Sequence, residues 1–155
     1  MKTRKGFTLV EILIVVVILG ILAAIVIPQF TEASTEAKAS RLASDLQMLR
    51  SQIELYKVQH NDRYPGYHAE TGSIDEADFW ADLTGKTDAE GNANDSGPFG
   101  PYIQKVPSNP FVTGDGADDV TIGEGTDGLA DCETGWYFDS TTGKIYAGDA
   151  DHQDL

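Results

Sequence analysis

A long, uninterrupted apolar stretch near the N-terminus dominates the hydrophobic pattern of the chain. Phe7 to Ile27 comprises 21 residues, with Glu11 as the only charged one, and Ile12 to Ile27 contains no polar side chain. As a helix rising about 1.5 Å per residue, it matches the roughly 30 Å hydrocarbon core of a bilayer. A helix that is apolar on every face needs more surrounding protein than 155 residues provide. The pattern predicts a membrane-spanning helix over residues 7–30.

A second, amphipathic pattern follows in residues 31–63, where the composition is strongly helix-forming. Apolar residues recur there at spacings of 4, 3, 4 and 3, which places them on one helix face: Leu42, Leu46, Leu49, Ile53 and Tyr56. We expect this apolar stripe to pack against a sheet of the same chain. It is too short to establish a coiled-coil seam.

The two patterns predict one helix from about Phe7 to about His60. Pro28 lacks an amide donor and should kink the helix near Ala24 rather than end it. Gly20 is a second weak point, because glycine has a low helix propensity.

Residues 64–155 have the features of a small globular head. A short helix is predicted at Asp75–Leu83 and a strand at Val120–Ile122. Gly135–Asp139 and Lys144–Ala147 flank a four-residue turn that ends in glycine, which is typical of a β-hairpin. The predicted fold class is α+β, with a long N-terminal helix packed on a small antiparallel β-sheet.

Charge is distributed unevenly along the chain. Residues 1–6 carry a net charge of +3, residues 28–63 are neutral, and residues 64–155 carry −16. The acidic head excludes a non-specific nucleic-acid binder. The cations before the apolar stretch predict a cytoplasmic N-terminus and a head on the opposite side. Cys132 is the only cysteine, which excludes an internal disulfide and a cysteine-based zinc site.

Glu11 is the anomaly of the apolar stretch. A carboxylate inside a membrane helix costs about 2.5–3.5 kcal/mol on insertion scales, so it needs a cationic partner. No Lys, Arg or His lies between Phe7 and Ile27. Cleavage of the Gly6–Phe7 bond would create an ammonium group on Phe7, four residues before Glu11, and so supply that partner.

At these residues the chain resembles a known family. Lys5-Gly6-Phe7-Thr8-Leu9-Val10-Glu11 is similar to the processing signature of type IV pilins and type II secretion pseudopilins. The resemblance implies that a membrane-embedded prepilin peptidase removes residues 1–6 after Gly6 and N-methylates Phe7. It also implies a pilin-like fold, and it makes Glu11 the glutamate that directs assembly.

A second segment favours one branch of this family. Residues 97–111, GPFGPYIQKVPSNPF, resemble a stretch of the major pseudopilins, whereas the paired C-terminal cysteines of many type IV pilins are missing. The resemblance implies a single-pass inner-membrane protein with a periplasmic head, which polymerises with its own copies into a helical pseudopilus or pilus. Its implied partners are membrane lipid before assembly, an inner-membrane platform protein and a cytoplasmic ATPase.

Two glycine-rich acidic stretches, residues 113–119 and 125–131, are candidates for calcium binding. Calcium takes about six to eight oxygen ligands, but neither stretch has EF-hand spacing. The resemblance to major pseudopilins implies a calcium site in the C-terminal loop. The candidate ligands are Asp115, Asp118, Asp119 and Asp127. The alternative is a solvated acidic surface without a metal.

Nothing in the sequence indicates an enzyme. His60, His68 and His152 are widely spaced, and neither a zinc-protease motif nor a nucleophile elbow is present. We expect His60 and His68 to be solvated histidines beside a turn.

Two rival functions remain open. A membrane-anchored, calcium-dependent binding module would not polymerise. A secreted enzyme would be released by cleavage near Ala33–Ser34, although the apolar stretch exceeds the roughly 7–15 residues of a secretory signal.

Overall fold

The computed structural model describes residues 6–155, so most of the predicted leader lies outside the described range. The chain divides into two compact units, the first ending at Ala37 and the second comprising Lys38–Leu155. One helix, α1 (Leu9–Gln59), contributes to both units and confirms the long helix predicted from the sequence.

The first unit contains the apolar part of α1 and the more polar residues that follow it as far as Ala37. The helix continues through Gly20 and Pro28 without ending, as expected, while the kink at these positions stays a prediction. Its apolar side chains are exposed on every face, with Val26 the least exposed at 41%. Among the described residues, α1 is the one helix long and apolar enough to cross a membrane.

The second unit has one hydrophobic core, formed on the amphipathic part of α1. The predicted apolar stripe is buried completely, and it packs against the strands and the second helix. The core comprises Leu42, Leu46, Leu49, Ile53, Tyr56, Phe79, Leu83, Ile103, Val120, Trp136, Phe138, Ile145 and Ala147. The periodic spacing therefore identified the buried face of α1 correctly.

Two small elements follow α1. Strands β1 (Tyr67–His68) and β2 (Ser73–Ile74) form an antiparallel hairpin that the sequence analysis did not predict. Helix α2 (Glu76–Thr84) confirms the predicted short helix. Asp75 caps it, because its side chain accepts a hydrogen bond from the Ala77 amide at 2.8 Å.

The head contains a three-stranded sheet in the order β3 (Val120–Gly123), β4 (Trp136–Asp139) and β5 (Lys144–Ala147). The hairpin of β4 and β5 is antiparallel, as predicted. The expectation of a wholly antiparallel sheet was wrong, since β3 runs parallel to β4. The physical reason is the long connection between them, residues 124–135, which lets the chain return to the same end of the sheet.

His60 is buried rather than solvated, contrary to the sequence-based expectation. Its side chain stacks on Tyr56 with ring centroids 3.8 Å apart. Its Nδ1 lies 2.8 Å from the Tyr56 carbonyl oxygen, and its Nε2 lies 2.8 Å from Thr87 Oγ1. The buried imidazole therefore has both nitrogens paired, and it fixes the chain around Thr87 to the end of α1.

Asp82 on α2 is also buried, and one carboxylate oxygen joins three parts of the head. Its Oδ2 accepts hydrogen bonds from the Gly66 amide at 2.7 Å and from Tyr56 Oη at 3.0 Å. Burial raises the pKa of the Asp82 carboxyl above 3.8, and these hydrogen bonds offset only part of that effect. Ionisation of Asp82 therefore lowers the stability of the fold, although its bonds position Gly66 and Tyr56.

The buried stripe of α1 predicts a sharp contrast between two leucines. Leu49→Ala should lower the free energy of unfolding by about 2–5 kcal/mol, because Leu49 is fully buried and its loss leaves a cavity. Leu55→Ala, at a 44% exposed position on the same helix, should change it by about 0.5 kcal/mol. Thermal unfolding of the detergent-solubilised chain measures both changes. Equal effects of the two substitutions would contradict the packing described here.

The buried carboxyl predicts a pH-dependent difference between Asp82→Asn and the wild type. An amide oxygen can still accept from Gly66 and Tyr56, but it carries no buried charge. Because the folded pKa lies above 3.8, Asp82 costs increasing stability as the pH rises through that folded value. The melting temperature of Asp82→Asn should therefore gain on the wild type as the pH rises from 3.8 to neutrality. A loss of stability in Asp82→Asn that widens as the pH rises would refute this account.

Candidate functional site

The candidate processing site is the segment that precedes α1. Gly6, Phe7 and Thr8 lie outside regular secondary structure, and the Phe7 side chain is 84% exposed. A Cβ atom added at Gly6 would have no atom within 4 Å, and Gly6 does not require a positive φ. The fold therefore imposes no requirement for glycine at this position, and a protease can approach the Gly6–Phe7 bond.

Glu11 lies in the first turn of α1, where it forms a capping box with Thr8. The Glu11 amide donates to Thr8 Oγ1 at 3.2 Å. In return, Glu11 Oε2 accepts from the Thr8 amide and from Thr8 Oγ1, both at 2.8 Å. This reciprocal pattern satisfies donors at the start of a helix. The sequence analysis missed Thr8, although the Thr-x-x-Glu spacing is a readable capping signal.

The capping box explains how a single chain accommodates Glu11 at the start of the apolar part of α1. The partners of the carboxylate are neutral groups of Thr8, and both hydrogen bonds use Oε2. Among the described residues, no group donates a hydrogen bond to Glu11 Oε1. This oxygen can therefore accept from another molecule. The carboxylate also faces the positive end of the helix dipole, which favours negative charge there.

The four predicted calcium ligands lie on separate segments of the head. Asp115 and Asp118 lie on a single 3-10 turn, Asp119 follows it, and Asp127 lies in the connection between β3 and β4. All four are exposed. Among residues 6–155, no three His, Cys, Asp or Glu side chains are grouped so that they could hold a metal ion. Calcium also takes backbone carbonyl oxygens as ligands, so calcium binding at these residues stays a prediction.

The Asp139 carboxylate, which was not among the predicted ligands, hydrogen-bonds to two segments of the acidic region. Asp139, at the end of β4, is buried, and its Oδ1 accepts from the amides of Gly125 and Thr141, each at 2.9 Å. Oδ1 also accepts from the Thr142 amide at 3.3 Å, and Oδ2 accepts from Thr142 Oγ1. Sequence reasoning placed Asp139 only at a strand end, since a contact with Gly125 depends on the tertiary fold.

Hydrogen bonds to the Asp139 carboxylate outweigh the effect of burial on its pKa. Burial alone would raise the pKa of its carboxyl, but the bonds from Thr142, Thr141 and Gly125 lower the pKa below 3.8. The ionised form is therefore favoured in the fold. Its contribution to stability is present above pH 3.8 and is lost as the pH falls through the lower folded value.

Comparison with known proteins agrees with the features of the N-terminal segment. Residues 1–27 match the family model described as the prokaryotic N-terminal methylation motif. The chain is 34% identical over 131 residues to the type II secretion system core protein G of Klebsiella pneumoniae, covering 84% of this chain and 83% of that protein. It is 30% identical over 128 residues to the core protein G of Escherichia coli strain K12, covering 83% and 78%.

A fimbrial protein of Pseudomonas aeruginosa is 46% identical over a shorter region of 54 residues, which is 35% of each chain. No solved structure matches the chain significantly. The relatives are named as components of secretion systems and fimbriae, and none of these names describes an enzyme. The likeness to core protein G extends over most of both proteins, and so the chain belongs to the family of type II secretion system core protein G, the major pseudopilins, and is a structural subunit of the pilin and pseudopilin type.

Proposed function

We propose that this chain is the subunit of a type II secretion pseudopilus and that it polymerises through the apolar part of α1. The observation that carries the proposal is the carboxylate of Glu11, held in a capping box at the start of the apolar part of α1. Support for the type II branch comes from the similarity to core protein G over more than four fifths of the chain.

The proposed topology follows from charge. Lys2, Arg4 and Lys5 precede the apolar helix, which favours retention of the N-terminus in the cytoplasm. Residues 64–155 carry −16 and form the head beyond the helix. The subunit then waits in the inner membrane with its head in the periplasm, and it moves from the bilayer into the pseudopilus.

Processing prepares the subunit for assembly. Prepilin peptidase cleaves the exposed Gly6–Phe7 bond and leaves an ammonium group on Phe7, which becomes methylated. Cleavage removes the three leader cations, so the new ammonium is the only positive charge up to Ile27. It lies at nearly the same depth as Glu11, because the two residues are only four positions apart in the sequence.

Assembly exchanges the partners of Glu11. Within one subunit, the carboxylate accepts hydrogen bonds from the neutral groups of Thr8. In the filament, the Phe7 ammonium of a neighbouring subunit approaches the available Oε1. The attraction is strong there, because two unit charges about 4 Å apart gain about 4 kcal/mol even at an effective dielectric of 20. The pair sets the axial register of neighbouring helices, which apolar contacts alone would leave undefined.

The accessible geometry of Gly6 predicts a processing defect without a folding defect. Gly6→Val should leave an uncut precursor, because the side chain meets nothing in the fold but occupies the peptidase site. Gly20→Ala is a matched control, since a Cβ atom at Gly20 also has no atom within 4 Å. Intact-mass analysis of membrane protein from the host should show the leader retained only in Gly6→Val. Normal removal of the leader from Gly6→Val would show that the peptidase cleaves a different bond.

Two substitutions of Glu11 distinguish the effect of its charge from the effect of its helix capping. Glutamine can replace glutamate in a capping box but cannot pair with an ammonium group as an anion. We therefore expect both Glu11→Gln and Glu11→Ala to be inserted and trimmed normally, and to reduce filament yield at least about tenfold, in line with the loss of a charge pair. Sheared-filament yield, normalised to processed subunit, measures the effect. If Glu11→Gln assembled normally while Glu11→Ala did not, capping alone would explain the residue.

A further inference from the structure

The head contains a cavity of about 810 Å³ between its two sheets. Strand β2 lines it with Ser73 and Ile74, and strand β3 lines it with Ile122 and Gly123. Residues 61–64, which follow α1, also contribute to the lining. The volume lies within the range of about 300–1,000 Å³ that is typical of ligand pockets. We call this cavity the strand cleft.

Strand β3 has a partly unpaired outer edge at the strand cleft. The Ser140 amide donates to the Gly123 carbonyl oxygen at 2.9 Å, so the backbone groups of Gly123 face β4. Those of Ile122, one residue earlier in the strand, point to the opposite side. The Ile122 amide donates to Glu76 Oε1 at 3.1 Å, whereas no described group donates to the Ile122 carbonyl oxygen. The Glu76 carboxylate shows that an acceptor can approach this edge.

Strand β2 also has an unpaired outer edge at the strand cleft. The Asp75 amide donates to the Gly66 carbonyl oxygen at 2.9 Å, which makes the neighbouring pair of Tyr67 and Ile74 a non-hydrogen-bonded pair. The amide and carbonyl groups of Ile74 therefore point away from β1. No described group forms a hydrogen bond with either of them. Two open strand edges thus line one cavity, and such edges are templates for a further strand.

The charge that the strand cleft offers to a ligand is negative. Asp62 and Glu124 line it, are exposed, and form neither a side-chain hydrogen bond nor an ion pair within the described part of the chain. The basic lining residue Arg63 is already engaged. Its guanidinium donates to the Glu90 carbonyl oxygen at 3.2 Å and lies 5.6 Å from the centre of the Tyr67 ring. Charge complementarity therefore favours a ligand with a Lys or Arg side chain.

The turn after α1 fixes the position of Asp62. Asn61 and Asp62 have φ values of 55° and 63°, in the left-handed region that is uncommon for residues other than glycine. The Asp62 amide donates to the Lys57 carbonyl oxygen at 3.0 Å and so ends the helix. Backbone in sparsely populated conformations is concentrated at ligand-binding sites. Here it places a carboxylate without a partner beside the two open edges.

We propose that the strand cleft binds an extended peptide segment with a basic side chain as an added strand between β2 and β3. Main-chain hydrogen bonds to Ile74 and to the Ile122 carbonyl oxygen supply the affinity, as in other peptides that add to a sheet edge. Asp62 and Glu124 select the basic side chain. The site lies within the second unit and includes no residue of the apolar part of α1. Peptide binding is therefore independent of polymerisation.

Peptide titration of the full-length chain in detergent tests the proposal. The probe is the fluorescein-labelled peptide Thr-Val-Thr-Lys-Thr-Val-Thr, whose β-branched residues favour an extended strand. The buffer contains calcium chloride, because calcium binding in the connection between β3 and β4 stays a prediction. Fluorescence anisotropy should show saturable binding. Replacement of the central Lys by Glu should weaken binding about tenfold, and N-methylation of alternate amides should do the same, because it removes the main-chain donors.

Two charge-matched variants locate the binding site. Asp62→Asn keeps a residue type that tolerates the left-handed conformation, and it should weaken binding of the lysine peptide about two- to fivefold, as expected for one exposed charge pair. Asp151→Asn removes an exposed carboxylate that does not line the strand cleft, and it should leave binding unchanged.

Hydrogen exchange, followed by mass spectrometry, reports the strand pairing itself. With the lysine peptide at about 100 times its dissociation constant, exchange of the Ile74 amide should slow about a hundredfold.

Four results would overturn the proposal. The first is a lack of saturable binding of the lysine peptide. The second is equal binding of the unmodified and N-methylated peptides, which would show that side chains alone hold the ligand. The third is an equal loss of affinity in Asp62→Asn and Asp151→Asn, which would reflect the overall charge of the head. The fourth is exchange protection that lies outside residues 72–76 and 122–124.

Discussion

The central constraint on this protein is a carboxylate in the part of α1 that is otherwise apolar on every face. Glu11 is tolerable in a single subunit because Thr8 caps the helix and hydrogen-bonds the carboxylate. These partners are neutral, so the charge itself remains uncompensated. In the proposed processing, cleavage before Phe7 generates the missing cation at nearly the depth of Glu11. The same chemical event therefore removes the leader and creates the partner that the proposed filament contact requires.

The head buries its apolar side chains within the chain, whereas the apolar part of α1 leaves its side chains exposed. Its core depends on the apolar stripe of α1 and on β4, whose four residues are all buried. Around this core, buried polar groups join distant segments: Asp82 and His60 bind the region after α1, whereas Asp139 binds the connection between β3 and β4. Side-chain hydrogen bonds to backbone groups thus order loops that carry little apolar surface of their own.

Sequence patterns predicted the elements whose character is local. The apolar run, the stripe from Leu42 to Tyr56 and the hairpin of β4 and β5 all have periodicities or turn residues that determine them nearly alone. The capping box of Thr8 was equally local and could have been found by its spacing. The parallel pairing of β3, the burial of His60 and the bonds of Asp139 depend on contacts between distant segments, which no local pattern encodes.

A high-resolution map of the assembled filament would test the central claim most directly. The account predicts that the nitrogen of Phe7 in one subunit lies within about 4 Å of the Glu11 carboxylate of a neighbour, the distance of an ion pair. It would be contradicted by a filament in which these groups lie far apart in every pair of subunits while Glu11 remains bonded only to its own Thr8.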